Sequence, residues 1–452
     1  MTLVEELAAF AAGARHENLS DAARLQLKIR VLDTLGCALA ALDGIAVRNV
    51  KQFITEFSAD GPCTLIGGGS SAPDRAALFN GALVRHFDFN DSYFARGDAC
   101  RPSDNFAAVL AAAELAHADG PTLLAALAVA YQVQCRLCDA APVRQRGFDY
   151  TTHLAYSVAA GVARALSFDA RRAANAIAIS GAALNALRVT RTGTLSMWKG
   201  MAAPFAASAA TQAALLAQRG ITGPAELLEG NKGFMQAVTG PFVVDWSREG
   251  FDRIERTNVQ RYTGEVHSQT AIEAALSLQR ANGFVADDIA TVEVEVSDVA
   301  HRTIGGGEEG DKTLVFTKED ANNSLPYLIA VAFIDHVVTP AQCAARRVQR
   351  ADVQALLCRV TVRTRDAFSR RSPAELPARV VVPLHDGRVM ASELSDYHGF
   401  HTRPYTWDDA LVKFTALAES RLSAVRASAI AAAVYDLEGA SVADLTGLLR
   451  AP

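Results

Sequence analysis

The chain has 452 residues, of which 50% are hydrophobic and 21% charged, with 44 Lys+Arg against 49 Asp+Glu and a net charge of −5. This balance excludes a disordered chain, a coiled coil and a collagen-like fibre, and it offers no overall basic excess for nucleic acid. No apolar run reaches about 18 residues, so no membrane-spanning helix is expected. Seven scattered cysteines predict a reducing, cytoplasmic setting rather than a disulfide framework.

In chain order, MTLVEELAAFAAGARHE reads as an acidic helix, not as a signal peptide. Ile66-Gly67-Gly68-Gly69-Ser70-Ser71 follows a short apolar run and precedes the apolar helix Ala76 to Val84. It lacks both G-x-G-x-x-G spacing and a G-K-[ST] ending, so it predicts a strand–turn–helix connection, not a phosphate cradle. Leu123 to Tyr131 and Leu154 to Leu166 are further apolar helical stretches, and the alanine-rich segment 202–220 is another, stopped by Gly220. No fixed period of 20–50 residues appears, which argues against a solenoid.

The pattern changes after about residue 285. Residues 289–296 alternate apolar and polar side chains, and 359–363 repeat the alternation. Residues 379–384, the turn signal Asp386-Gly387 and residues 388–390 predict a hairpin. Leu325 to Val337 and Pro340 to Leu357 are predicted helices between these strands, and helical, alanine-rich sequence returns from Trp407 to Leu449. The expected fold is mainly α with an inserted α+β domain. A discontinuous helical bundle takes residues 1–268 and 396–452, and a smaller α+β lid takes 269–395. The glycine-rich segment Gly305 to Gly310 lies in the insert, either as a plain flexible connection or as a cover for a site. The Arg-rich stretch Arg346 to Arg379 reads as a solvated face.

Cys135-x-x-Cys138 falls in a helical pattern without a second cysteine pair or a nearby histidine in sequence, so no metal site is expected there. Neither G-x-S-x-G nor H-E-x-x-H occurs. Five polar segments could carry chemistry. In the first, Arg85 to Ser92, Asp88 and Asp91 would share a face if the preceding helix continued. They would then either hold a cation and perturb one another's pKa, or cap the helix end. The second places His153 at a helix start. The third sets Lys199 between Trp198 and small residues, where it either snorkels outward or is held with a lowered pKa. The fourth, Gln260 to Gln269, is densely polar at the boundary between bundle and insert, where clefts are favoured. The fifth, Lys318 to Tyr327, leads into an apolar helix.

Taken together and in this order, these segments resemble the MmgE/PrpD family over nearly the whole chain. The resemblance is carried by LDTLGCALA (32–40), ALFNGALVRHFDFND (77–91), RPSDN (101–105), SMWKGMAAPFAA (196–207), RYTGEVHSQTAIEAAL (261–276), SLPYLIAVAFID (324–335) and RPYTWDDALVKF (403–414). It implies a helical domain with an α+β lid, a homodimer, and no metal or organic cofactor. It also implies proton abstraction next to a carboxylate of a small polycarboxylate substrate, without nucleic-acid or membrane partners. By resemblance, Asp88, His153, Lys199 and Tyr327 are the catalytic candidates. His153 or Lys199 is the base and Tyr327 a proton donor, while Ser92, Arg101, Gln260, Arg261, Glu265 and His267 bind substrate. Arg101 stands where relatives of this kind carry histidine, Gln260 where some carry lysine, and Asn322-Asn323 where many have a histidine. Arginine clamps carboxylates but does not transfer protons near neutral pH. The expected activity is that of a 2-methylcitrate dehydratase-like hydro-lyase. The alternatives are a dicarboxylate epimerase of the iminodisuccinate type and a catalytically silent polyanion-binding member.

Overall fold

The computed structural model describes residues 1–307 and 309–450. The chain starts as the helix Leu3–Gly13, in which Thr2 and Glu5 form a reciprocal capping box. Helices Asp21–Ala40, Pro73–Arg85, Phe106–Leu115, Gly120–Ala140, Thr151–Ala165, Ala170–Ala183 and Trp198–Gln218 then build a bundle. Gly120–Ala140 packs on Thr151–Ala165, and Pro73–Arg85 packs on Trp198–Gln218. Small side chains allow this. A β-carbon at Gly161 would come within 2.9 Å of Ala130 and Val109, so alanine there would push two helices apart. The helix predicted over 202–220 begins earlier, at Trp198, and takes Pro204 into its interior.

One apolar core combines residues between Val4 and Val259 with Tyr405, Phe414, Ile430 and Leu449 of the carboxy-terminal segment. The helix Trp407–Ala418 packs along Asp21–Ala40. There the buried Lys413 ammonium pairs with Asp33 at 2.7 Å and donates to the carbonyls of Phe89 at 2.6 Å and Gln260 at 2.7 Å. A second apolar core lies wholly within Tyr262–Leu384.

That second core sits under a four-stranded sheet ordered Val360–Thr364, Val292–Val296, Ala378–Pro383, Val389–Leu394. The first pair is parallel and the other two are antiparallel. Val292, Val294, Val296, Val380 and Val382 point inward, alternating with half-exposed neighbours as the period-2 pattern predicts. Helices Gln269–Asn282 and Leu325–Asp335 cover the inner face. The hairpin closes at Asp386-Gly387, with Gly387 at φ 88° and the Leu384 N–H donating to Arg388 O across 2.8 Å.

Two local expectations change. The segment Pro340 to Leu357 is three short pieces, Pro340–Cys343, Ala345–Val348 and Ala351–Leu357, separated by extended backbone at Ala344 and Arg350. The helix Pro73–Arg85 stops before Asp88, which takes a left-handed φ of 51°. Asp91 therefore does not share a helix face with it. Asp91 starts the strand Asp91–Ala95, and its carboxylate accepts from the Ser103 N–H at 2.9 Å and the Tyr131 hydroxyl at 2.7 Å. Among the described residues no helix is long and apolar enough to cross a membrane.

Candidate active site

A cleft opens where the bundle meets the α+β unit. Arg101, Arg144, Arg188, Arg191 and Lys199 face it from the bundle, and Glu265, His267, Glu309 and Asn323 from the other side. Its floor is a charge cluster around Asp88. The sharp left-handed turn after Pro73–Arg85 presents Asp88 Oδ1 to Arg85 Nη1 at 2.9 Å and to Arg101 Nε at 3.0 Å. Asp88 Oδ2 lies 3.5 Å from Lys199 Nζ. Burial opposes ionisation of Asp88, but Arg101, Arg85 and Lys199 outweigh it and hold the carboxyl well below the usual carboxylate range. Arg101 is aimed by its neighbours. Gly97 at φ 89° closes the hairpin between Asp91–Ala95 and Asp98–Cys100, and Pro102 starts the next turn immediately after Arg101.

Lys199 lies in the first turn of Trp198–Gln218 and is buried. Burial lowers its pKa to about 8, Asp88 resists that shift, and Arg191, Arg85 and Arg101 add to it. An ammonium so poised gives up a proton near neutral pH far more readily than a surface lysine.

Across the cleft, Glu265 and His267 form a dyad. His267 Nδ1 lies 2.9 Å from Glu265 Oε2, and the same oxygen accepts the His267 backbone N–H at 2.8 Å. A carboxylate only accepts, so Nδ1 carries a hydrogen and Nε2 is the ring nitrogen left outside the dyad. Gly264 makes the approach possible. Its φ is 136°, and a β-carbon there would stand 2.7 Å from Leu328. Burial raises the Glu265 pKa, but His267 and Arg101, the latter at 3.7 Å, overcome it and bring it to about 2. Arg191 and Arg101 lie 4.6 Å and 5.6 Å from the centre of the Tyr150 ring, whose hydroxyl donates to Asp104 at 2.8 Å. Arg191 also pairs with the buried Asp149, yet its Nη2 has no hydrogen-bond partner among the described residues. Arg144 and Arg188 both pair with Glu309, Arg144 at 2.9 Å. Of the glycine-rich segment that carries Glu309, Glu308 lies outside the described residues.

The structure thus gathers Asp88, Arg101, Lys199, Glu265 and His267 in one place. It does not bring the remaining predicted residues to the cleft. His153 is buried behind it, with Nε2 2.9 Å from Ala141 O. Tyr327 is buried in the second core, and its hydroxyl donates to Gln342 O. Ser92 is buried in its strand beside Tyr397. Gln260 is buried and donates to Gly264 O at 2.9 Å, while Arg261 leans outward toward Glu273 at 3.8 Å. His153 and Tyr327, expected to transfer protons, thus do not line this cleft. Sequence reasoning did not select Arg144, Arg188, Arg191, Tyr150 or Glu309. The available signal was the pair Arg188 and Arg191, three apart in a short loop turn with no apolar periodicity.

A cleft lined by fixed guanidiniums, one lysine of lowered pKa and a carboxylate-held imidazole is built to receive a small anion and to move a proton on it. The chain belongs to the MmgE/PrpD family: residues 5–247 match its MmgE/PrpD N-terminal domain and residues 262–438 its MmgE/PrpD C-terminal domain. It is 28% identical over 413 residues to the 2-methylcitrate dehydratase of Cupriavidus necator, covering 82% of this chain and 81% of that one. The 2-methylcitrate dehydratase of Salmonella typhimurium is also 28% identical, over 405 residues, with the same coverage of 82% and 81%. That of Escherichia coli K12 is 27% identical over 365 residues, covering 72% of this chain and 70% of that one.

Proposed function

We propose that this chain is a hydro-lyase of the 2-methylcitrate dehydratase kind acting on a small polycarboxylate. The observation that carries the reading is Lys199 and the Glu265–His267 dyad facing one cleft among four arginines. Arg101, Arg191, Arg144 and Arg188 hold substrate carboxylates in bidentate fashion. His267 Nε2 takes the proton from the carbon next to a carboxylate. The C–H electron pair becomes the C=C bond, the C–O bond breaks, and a proton from the Lys199 ammonium turns the departing hydroxide into water. Glu265 fixes the tautomer of the base and stabilises the imidazolium that forms. Asp88 keeps Lys199 protonated and Arg101 in place.

The α+β unit, residues 269–395, acts as the lid in this reading. Glu309 occupies the Arg144 and Arg188 guanidiniums as a substrate carboxylate would. The protein acts as a homodimer. The exposed apolar side chains Leu187, Val189, Met197, Trp198 and Phe205, of which Trp198 and Phe205 pack together, support this as surface a second copy covers, and sedimentation with Trp198→Glu tests it by giving monomer.

The test of activity is proton NMR in deuterium oxide with 2-methylcitrate, citrate, cis-aconitate and iminodisuccinate. Vinyl signals appearing from 2-methylcitrate or citrate support the hydro-lyase. Loss of a C–H signal with the skeleton intact replaces it with an epimerase. Thermal stabilisation by these anions with no spectral change makes the chain a silent binder.

A further inference from the structure

A second cluster lies directly behind the Asp98 wall of the cleft. The strand Asp98–Cys100, the helix Gly120–Ala140 and the start of Thr151–Ala165 converge there. Cys100, Cys135 and Cys138 pack together with Tyr93 and Tyr150. The Cys100 thiol lies in one buried cluster with Cys135 and Cys138. A ring nitrogen of His153, the Cys138 sulfur and an Asp98 carboxylate oxygen all lie within 4.8 Å of one another.

Each donor is prepared for a cation. His153 is fully buried, and its Nε2 meets the carbonyl of Ala141, which can only accept, so Nε2 carries the hydrogen. Nδ1 is left with a lone pair and has no partner among the described residues. An imidazole anchored through one nitrogen on a backbone carbonyl, with the other nitrogen free, is the arrangement of a metal-bound histidine. Asp98 is aimed by the backbone. Its Oδ1 accepts from Ala99 N at 2.9 Å, and its Oδ2 from Val143 N at 2.9 Å and Arg144 N at 3.3 Å. Oδ1 keeps a further lone pair. Cys138 presents a thiol with Cys100 against it.

We propose that Asp98, Cys138 and His153 bind one divalent ion of the zinc class as a structural site, with the neighbouring Cys100 thiol drawn in as the fourth donor. Thiolate and imidazole select a borderline-soft cation over magnesium or calcium. Four protein donors without solvent make a closed, non-catalytic site. Binding releases the two thiol protons to water, so affinity rises with pH. The ion would tie the Asp98–Cys100 strand, and with it Arg101, to the two helices behind the cleft.

The full chain is stripped with chelator and titrated with cobalt(II). The expected result is one equivalent bound, with sulfur-to-cobalt charge-transfer absorption and the visible bands of a tetrahedral site, all displaced by zinc. Zinc alone raises the melting temperature of the stripped protein. Cys138→Ser and His153→Gln lose these bands, and Cys358→Ser, which alters an exposed thiol elsewhere, keeps them. Absence of sulfur-to-cobalt absorption in the wild-type chain overturns the proposal. So does full retention in Cys138→Ser, or loss in Cys358→Ser. If Cys138→Ser fails to fold, zinc-edge X-ray absorption of the wild-type protein decides. Sulfur and nitrogen neighbours sustain the site, and an all-oxygen shell removes it.

Discussion

His267 and His153 are both buried, and each has one ring nitrogen held at 2.9 Å, yet they sit in opposite surroundings. His267 is held by the Glu265 carboxylate at a cleft lined with arginines, while His153 is held by a backbone carbonyl inside a thiol-rich core. A carboxylate stabilises the imidazolium that proton abstraction creates, and a carbonyl does so far less. Burial pushes the His153 pKa down, with Asp98 only partly opposing, so that ring stays neutral. The difference teaches that burial and a fixed tautomer do not make a histidine an acid–base group. What the free nitrogen faces decides between proton transfer and ligation.

The largest effects break or confirm this contrast directly. Lys199→Ala and His267→Gln are each expected to lower kcat by about 10²–10⁴, with far-UV circular dichroism unchanged. His153→Gln is expected to lower the melting temperature more than either, and kcat/KM far less. The reverse ranking in steady-state kinetics would return the base to His153.

The next effect sharpens the role of Lys199. As a proton donor it must be charged, and its pKa is brought to about 8. Its protonated fraction, and with it kcat/KM, falls as pH rises through about 8. Asp88 favours the ammonium, so Asp88→Asn lowers the Lys199 pKa and moves this limb to lower pH. Asparagine also accepts the left-handed backbone at this position. A limb that stays fixed in Asp88→Asn removes Lys199 as its source.

Much of this contrast was legible in the sequence, and the missing part has a physical cause. Asp88, Glu265 and His267 stand in dense polar segments beside apolar helices, which is the signature of a cleft wall, and Lys199 stands out as a single charge among apolar and small neighbours. His153 stands at a helix start too, but whether a side chain there faces the cleft or the core depends on the roll of the helix, which sequence spacing leaves open. Tyr327 is lost for the same reason: it sits in the first turn of Leu325–Asp335, whose residues from Leu325 to Phe333 are all buried. Arg144, Arg188 and Glu309 come from irregular segments with no periodicity, and they meet only when two units fold against each other. Cys135-x-x-Cys138 lacks nearby partners in sequence, because Cys100 and His153 arrive from other elements. The hairpin at Asp386-Gly387, by contrast, is set by local turn chemistry and was read without tertiary information.

A smaller effect tests the other side of the cleft. Glu309 neutralises Arg144 and Arg188 in the absence of substrate. Glu309→Gln frees both guanidiniums, and KM is expected to fall about threefold to tenfold, in line with roughly 1 kcal/mol for a partly buried ion pair. A rise in KM would make Glu309 a latch that holds the lid in place rather than a competitor for the arginines.

The smallest change is expected at Tyr327. Its hydroxyl is committed to Gln342 O inside the second core, so Tyr327→Phe loses one hydrogen bond and leaves that carbonyl short of a donor. The cost is about 1 kcal/mol of stability, read as a small drop in melting temperature, and kcat should stay within twofold. If kcat instead falls as far as in Lys199→Ala, the helix Leu325–Asp335 must turn its first residues into the cleft during turnover. The second core would then be a moving part of the active site, and the proton donor would have to be sought there.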